Sequence, residues 1–176
     1  MREVADGLRA WRAQGRRFAL VTVLSTWASA PRPPGTRMAV AEDGEVLGNI
    51  TGGCVEAAVH EAALEVLATG RPQRCRYGVT ADDLVEVGLM CGGEIEVYVE
   101  PVGPADSVAP ALDDVLAAIG EGRPAVLVTG LDGVPPESGP EGEAALARTG
   151  ADGETYLVHS FAAPPRMILF GAIDLA

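Results

Sequence analysis

The chain has 176 residues, of which 48% are apolar, so a sizeable core is within reach. Its net charge of -12 argues against nucleic acid or an anionic membrane as the main partner. Its start has no signal-peptide core, no apolar run reaches the ~20 residues of a membrane span, and three cysteines make a poor disulfide framework, so a cytoplasmic protein with free thiols is expected.

Val4, Leu8 and Trp11 recur at helical spacing over residues 3–14, and Gly15 ends that pattern. Phe18 to Leu24 is an apolar run without alternation, the mark of a strand covered on both faces. Trp27 to Gly35 carries three prolines and reads as a stiff loop. Residues 36–41 and 45–50 flank Glu42-Asp43-Gly44, a hairpin signal. Gly52-Gly53 then delivers Cys54 to the start of an alanine-rich helix over 55–69, closed by Gly70 and Pro72.

Residues 73–79 read as a short strand and 81–87 as a helical turn or a short helix. Over 94–102, Ile95, Val97 and Val99 alternate with Glu94, Glu96 and Glu100, which predicts a half-buried strand with the glutamates on its wet face. Gly103-Pro104 opens a linker. A helix over 110–119 and a strand over 125–129 follow. Gly122-Arg123 and Leu127-Val128-Thr129 repeat Gly15-Arg16 and Leu20-Val21-Thr22 at one offset, so either a helix–strand unit is duplicated or the pattern recurs by chance. Residues 132–154 are rich in Gly, Pro and Glu and read as a mobile loop with one helical turn at 144–148. A strand is expected at 155–161. Met167 to Phe170, running into Gly171-Ala172, looks like the opening strand of a Rossmann domain whose remainder is absent. An orphan edge strand there makes self-association plausible.

The Gly-Gly-Cys turn carries the strongest chemical signal. Helix-start N–H groups and their positive dipole end favour a phosphate, or a thiolate on Cys54 itself. Cys54 could equally be a small buried hydrophobe. Cys91, followed by Gly92-Gly93, repeats the arrangement, whereas Cys75 lies in a plain strand. Paired metal-ligand spacings are lacking, and His60 falls about 240° around the helix from Cys54, so zinc is not expected. Arg32 and Arg37 bracket the proline loop, as phosphate ligands or as solvated charges. Glu56 suits the helix dipole, and no role follows for His159.

Four segments, in order, resemble the XdhC/CoxI family of molybdenum hydroxylase accessory proteins: Ser29 to Gly35, Gly52-Gly53-Cys54-Val55-Glu56, Gly88 to Val97, and Phe170 to Asp174. The resemblance implies an α/β protein. An N-terminal domain with a mixed sheet would span 1–103, a second helix–strand segment 104–163, and the first strand only of a Rossmann domain 164–176, a C-terminal truncation of the family's pattern. It implies a chaperone more than a catalyst. Such a protein binds molybdenum cofactor (molybdopterin) transiently, supports its sulfuration with a cysteine desulfurase, and inserts it into a xanthine dehydrogenase-type apoenzyme. By position it gives Cys54, Cys91, Gly52, Gly53, Gly92, Gly93 and Arg32 as cofactor-binding residues. A thiol redox enzyme using Cys54 and Cys91, or a non-functional remnant, are the alternatives.

Overall fold

In the computed structural model of the chain, residues 2–28, 32–78, 93–104, 106, 108–131, 137–139, 146–149 and 155–161 are described. Helix α1 (Arg2–Ala13) turns Val4, Leu8 and Trp11 inward, all buried, as their spacing requires. It is followed by β1 (Phe18–Trp27), β2 (Arg37–Ala41), β3 (Val46–Gly48), α2 (Glu56–Thr69), β4 (Gln73–Tyr77) and β5 (Glu94–Val102). These strands form one sheet in the order β3-β2-β1-β5-β4.

The fold is mixed α/β, but every neighbouring pair in this sheet is antiparallel, not mixed as expected. The apolar run of β1 reports two covered faces, and strand direction leaves no mark on it. Helix α2 covers one face through Val59, Ala63, Val66 and Leu67, against Val21, Val23, Met38, Ile95 and Val97. It also crosses from one edge strand, β3, to the other, β4. Those two strands run the same way, yet three strands lie between them. The other face packs on α1 and on α3 (Val108–Gly120) around Leu8, Trp11, Leu20, Leu112 and Leu116. Burying each such side chain contributes roughly 1.5–3 kcal/mol.

A second, four-stranded antiparallel sheet follows: β6 (Ala125–Gly130), β7 (Glu137–Gly139), β8 (Leu146–Thr149) and β9 (Thr155–Phe161), in the order β7-β6-β9-β8. Leu127 and Phe161 join the α1/α3 core, and Leu131 and Leu157 meet Leu24 and Tyr98. The second sheet therefore covers part of the first. Two strands occupy the span read as a loop with a helical turn, because Leu146–Thr149 gains its ladder from β9, a partner that local sequence does not reveal.

The suspected helix–strand repeat has a structural counterpart. At the end of α1, Gly15 (φ 67°) donates to Arg12 O and Arg16 N–H to Trp11 O. At the end of α3, Gly122 (φ 69°) donates to Ile119 O and Arg123 N–H to Ala118 O. The same double-bonded glycine cap closes both helices at the same sequence offset, and α1 packs directly on α3. The expected helical turn at 81–87 and the strand at 167–170 lie outside the described residues. No helix among the described residues is long and apolar enough to cross a membrane.

Candidate functional site

The Gly-Gly-Cys turn leaves the sheet at Gly48. That residue has φ 75°, and a Cβ there would come within 2.6 Å of Val4 Cγ1 and 2.7 Å of Arg37 O. Only glycine fits this position. The chain then bends through Gly52 (φ 85°) and Gly53 (φ 122°), both facing open space, so these two glycines serve the backbone path, not a close contact.

Glu56, the first residue of α2, folds its carboxylate back under the turn. It accepts N–H groups from Ile50 (3.2 Å), Thr51 (2.7 Å), Gly52 (2.9 Å), Gly53 (2.8 Å) and Val55 (3.2 Å), and the Thr51 hydroxyl at 2.6 Å. Burial pushes this carboxyl upward. The Thr51 hydroxyl and the backbone donors outweigh burial and hold it at about 2. The donors that the sequence offers to an external anion are thus already taken by a carboxylate of the chain itself.

Cys54 is half-buried against the α2-face core, is a free thiol, and donates its N–H to Thr51 Oγ1 at 3.2 Å. It precedes the helix by two residues, since Val55 is the cap. Gly93 is buried and leads into β5, whose first residue Glu94 pairs with Trp27, the last of β1. The register therefore brings the Gly-Gly-Cys turn, the proline loop and the approach to β5 to one end of the sheet. Cys91 and Gly92 lie outside the described residues. Cys75, half-buried in β4, has its thiol pushed up by burial. His60 turns away toward Gly44 O, at 3.4 Å.

Arg32 belongs to the opposite face. Its Nη1 reaches Glu3 Oε2 on α1 at 3.3 Å, while Cys54 packs against the core on the α2 side. The proline loop is tied to β1, with Gly35 N–H donating to Val23 O at 2.8 Å and Val23 N–H to Thr36 O at 3.0 Å. Arg32, Thr36, Arg37, Glu3 and His159 line a cavity of about 290 Å³ between that loop, α1, β2 and β9.

Arg37 is 2% exposed, and none of its three guanidinium nitrogens has a hydrogen-bond partner among the described residues. The register aligns Arg37, Thr22 and Tyr98 across β2, β1 and β5, with Glu100 one step further on the same face. Glu100, expected on a wet face, is 5% exposed, because the second sheet and the two helices cover it. Burial raises its carboxyl to about 7 against the pull of Arg37, and burial lowers Arg37 to about 10. Arg37 therefore keeps its charge at neutral pH. His159 stacks on Phe161 at 4.3 Å between ring centroids, its Nδ1 unpartnered. Burial, then the charge of Arg37, lowers it to about 3.

Sequence reasoning missed Glu100 and His159 and gave Arg37 no more weight than Arg32. One signal was present: Arg37 opens an otherwise apolar strand, Arg37-Met38-Ala39-Val40-Ala41.

Comparison with known proteins bears on the same stretch. Residues 11–78 match the model of the XdhC and CoxI family. The molybdenum cofactor insertion chaperone PaoD of Escherichia coli (strain K12) is 36% identical over 99 residues, covering 56% of this chain and 31% of PaoD. The uncharacterized protein YqeB of the same organism is 31% identical over 86 residues, 49% of this chain and 16% of YqeB. The chain thus spans a third or less of either curated relative. A crystal structure of a xanthine dehydrogenase from Bacillus halodurans shares the fold with a TM-score of 0.61, at 20% identity, over 93% of this chain and 45% of that one. The stretch over residues 11–78, which holds Arg32, Arg37, Gly52, Gly53, Cys54 and Glu56, is thus similar to the XdhC and CoxI family.

Proposed function

We propose that this chain is an accessory protein of molybdenum hydroxylase maturation, with molybdenum cofactor as its transient cargo. In this reading it supports sulfuration of the cofactor beside a cysteine desulfurase and its delivery to a xanthine dehydrogenase-type apoenzyme. The observation that carries it is Cys54. A free, half-buried thiol stands on a turn locked by six hydrogen bonds to one carboxylate, inside the stretch that matches the family.

The chemistry fits the cargo. A thiol is a soft ligand suited to a metal–sulfur centre. The Glu56 carboxylate fixes the turn in advance, so little order is lost when the thiol engages. The turn itself does not suit the cargo's phosphate, since its N–H groups already serve Glu56 and a second anion there would meet a carboxylate. The role of this turn is to present sulfur.

Replacing Cys54 by Ala tests this. Loaded with molybdopterin, the Cys54→Ala chain is expected to retain at least about tenfold less after desalting, a loss of about 1.4 kcal/mol. Equal retention by the two chains would remove Cys54 from the role.

A further inference from the structure

Arg37 presents a physical problem that the thiol turn does not. A buried guanidinium with no hydrogen bond among the described residues is costly, and Glu100, the carboxylate whose charge it feels, makes none with it. The guanidinium is a rigid fork of five donors matched to oxyanions. It lines the cavity under the proline loop, where a second guanidinium, Arg32, stands at the rim in a 3.3 Å contact with exposed Glu3. The imidazole of His159 and the Thr36 hydroxyl complete the lining, the latter donating to Pro33 O at 2.8 Å.

We propose that this cavity binds a phosphate monoester, with Arg37 and Arg32 clamping the phosphoryl oxygens and His159 facing them. The cavity, about 290 Å³, equals roughly ten water volumes. That is more than a phosphate group needs and leaves room for part of the group it esterifies. Two guanidiniums favour a dianion over a monoanion such as a carboxylate. On binding, the oxyanion takes Arg32 from Glu3 and gives Arg37 the acceptors it lacks. The site lies on the face of the sheet opposite Cys54 and stands on its own geometry, independently of the cargo proposed above.

Thermal unfolding of the whole chain tests it, with inorganic phosphate and adenosine 5′-monophosphate as separate probes against chloride at equal ionic strength. With both probes at one common concentration, near ten times the Kd of the tighter, the tighter should raise Tm by about 3–6 °C. A larger shift with the monophosphate identifies the ester as the ligand, and equal shifts identify free phosphate. Arg37→Met should abolish the shift while its own Tm stays equal to or above that of the parent, because an unpaired buried charge has been removed. Arg32→Met, at a half-exposed loop position, should at least halve the shift, and Glu3→Gln should enlarge it. No shift in the parent, the same shift in Arg37→Met or Arg32→Met, or an equal shift with acetate would overturn the assignment. None of these readings touches the retention test on Cys54, so the two proposals fail separately.

Discussion

The two faces of the first sheet handle an isolated charge in opposite ways. On the α2 side, Glu56 collects five N–H groups and a hydroxyl, and its carboxyl falls to about 2. On the α1 side, the Arg37 guanidinium has no hydrogen-bond partner among the described residues, and the carboxyl near it rises to about 7. A satisfied charge shapes the chain, as Glu56 shapes the thiol turn. An unsatisfied one leaves bonding capacity for something outside it. Sequence pointed to the first place as the anion site, and the hydrogen bonds favour the second.

The variant with the largest expected effect joins the two faces. Gly48→Ala drives a Cβ into Val4 and the Arg37 carbonyl at a positive φ, and should cost about 3 kcal/mol by denaturant unfolding. Near-normal stability would show that β3 can shift, and that the two sites are not held by a common strand.

Next comes Glu56→Gln, which keeps one acceptor oxygen and loses the charge. It should cost about 2 kcal/mol near neutral pH. It should also release turn N–H groups, so that phosphate stabilises this variant more than the parent. If phosphate acts on both alike, the turn donors are not the ones that Glu56 was holding.

The two faces also differ in pH response. Glu56 has a folded value of about 2 against an ordinary 4.5, so its contribution is complete above 4.5 and is lost as pH falls toward 2. Glu100, raised to about 7 from 4.5, binds a proton more readily when folded, so its contribution is complete below 4.5 and is lost as pH rises to 7. His159, lowered to about 3 from 6.5, opposes Glu100: stability falls as pH drops from 6.5 toward 3. Between 4.5 and 6.5 the two should nearly cancel. Glu100→Gln should then uncover a stability that rises with pH in that window, and His159→Gln one that falls. Identical slopes in both variants would dissolve the link through Arg37.

The smallest effect is at Thr51. Thr51→Val removes one hydroxyl from the Glu56 cluster, at about 1 kcal/mol, with Cys54 still presented. A normal retention of molybdopterin beside that loss would separate the stability of the turn from its function.

Much of the fold was legible because local rules suffice for it. Val4, Leu8 and Trp11 mark α1 by spacing, Gly15 and Gly122 cap their helices by tolerating positive φ, and Thr155 to Phe161 forms the expected strand. Leu146–Thr149 was not legible, since its strand exists through its ladder to β9. The site divides in the same way. Cys54 could be read from its two glycines, because a turn before a helix is a local event.

Glu100 misled because alternation gives the parity of a strand but not what covers each face. It shares its parity with half-exposed Glu94 and Glu96, yet lies under a second sheet whose strands begin more than twenty residues later. Sequence alone determined the elements up to β6 and the strand β9 among the described residues, together with the helix caps and the thiol turn, since each is settled within a few residues by backbone sterics and side-chain period. The tertiary structure alone decided that all strand neighbours run antiparallel, that Glu56 fills the turn, and that Arg37, Glu100 and His159 meet. Those outcomes depend on which distant segments exclude water from a charge, and burial of that kind has no local signature.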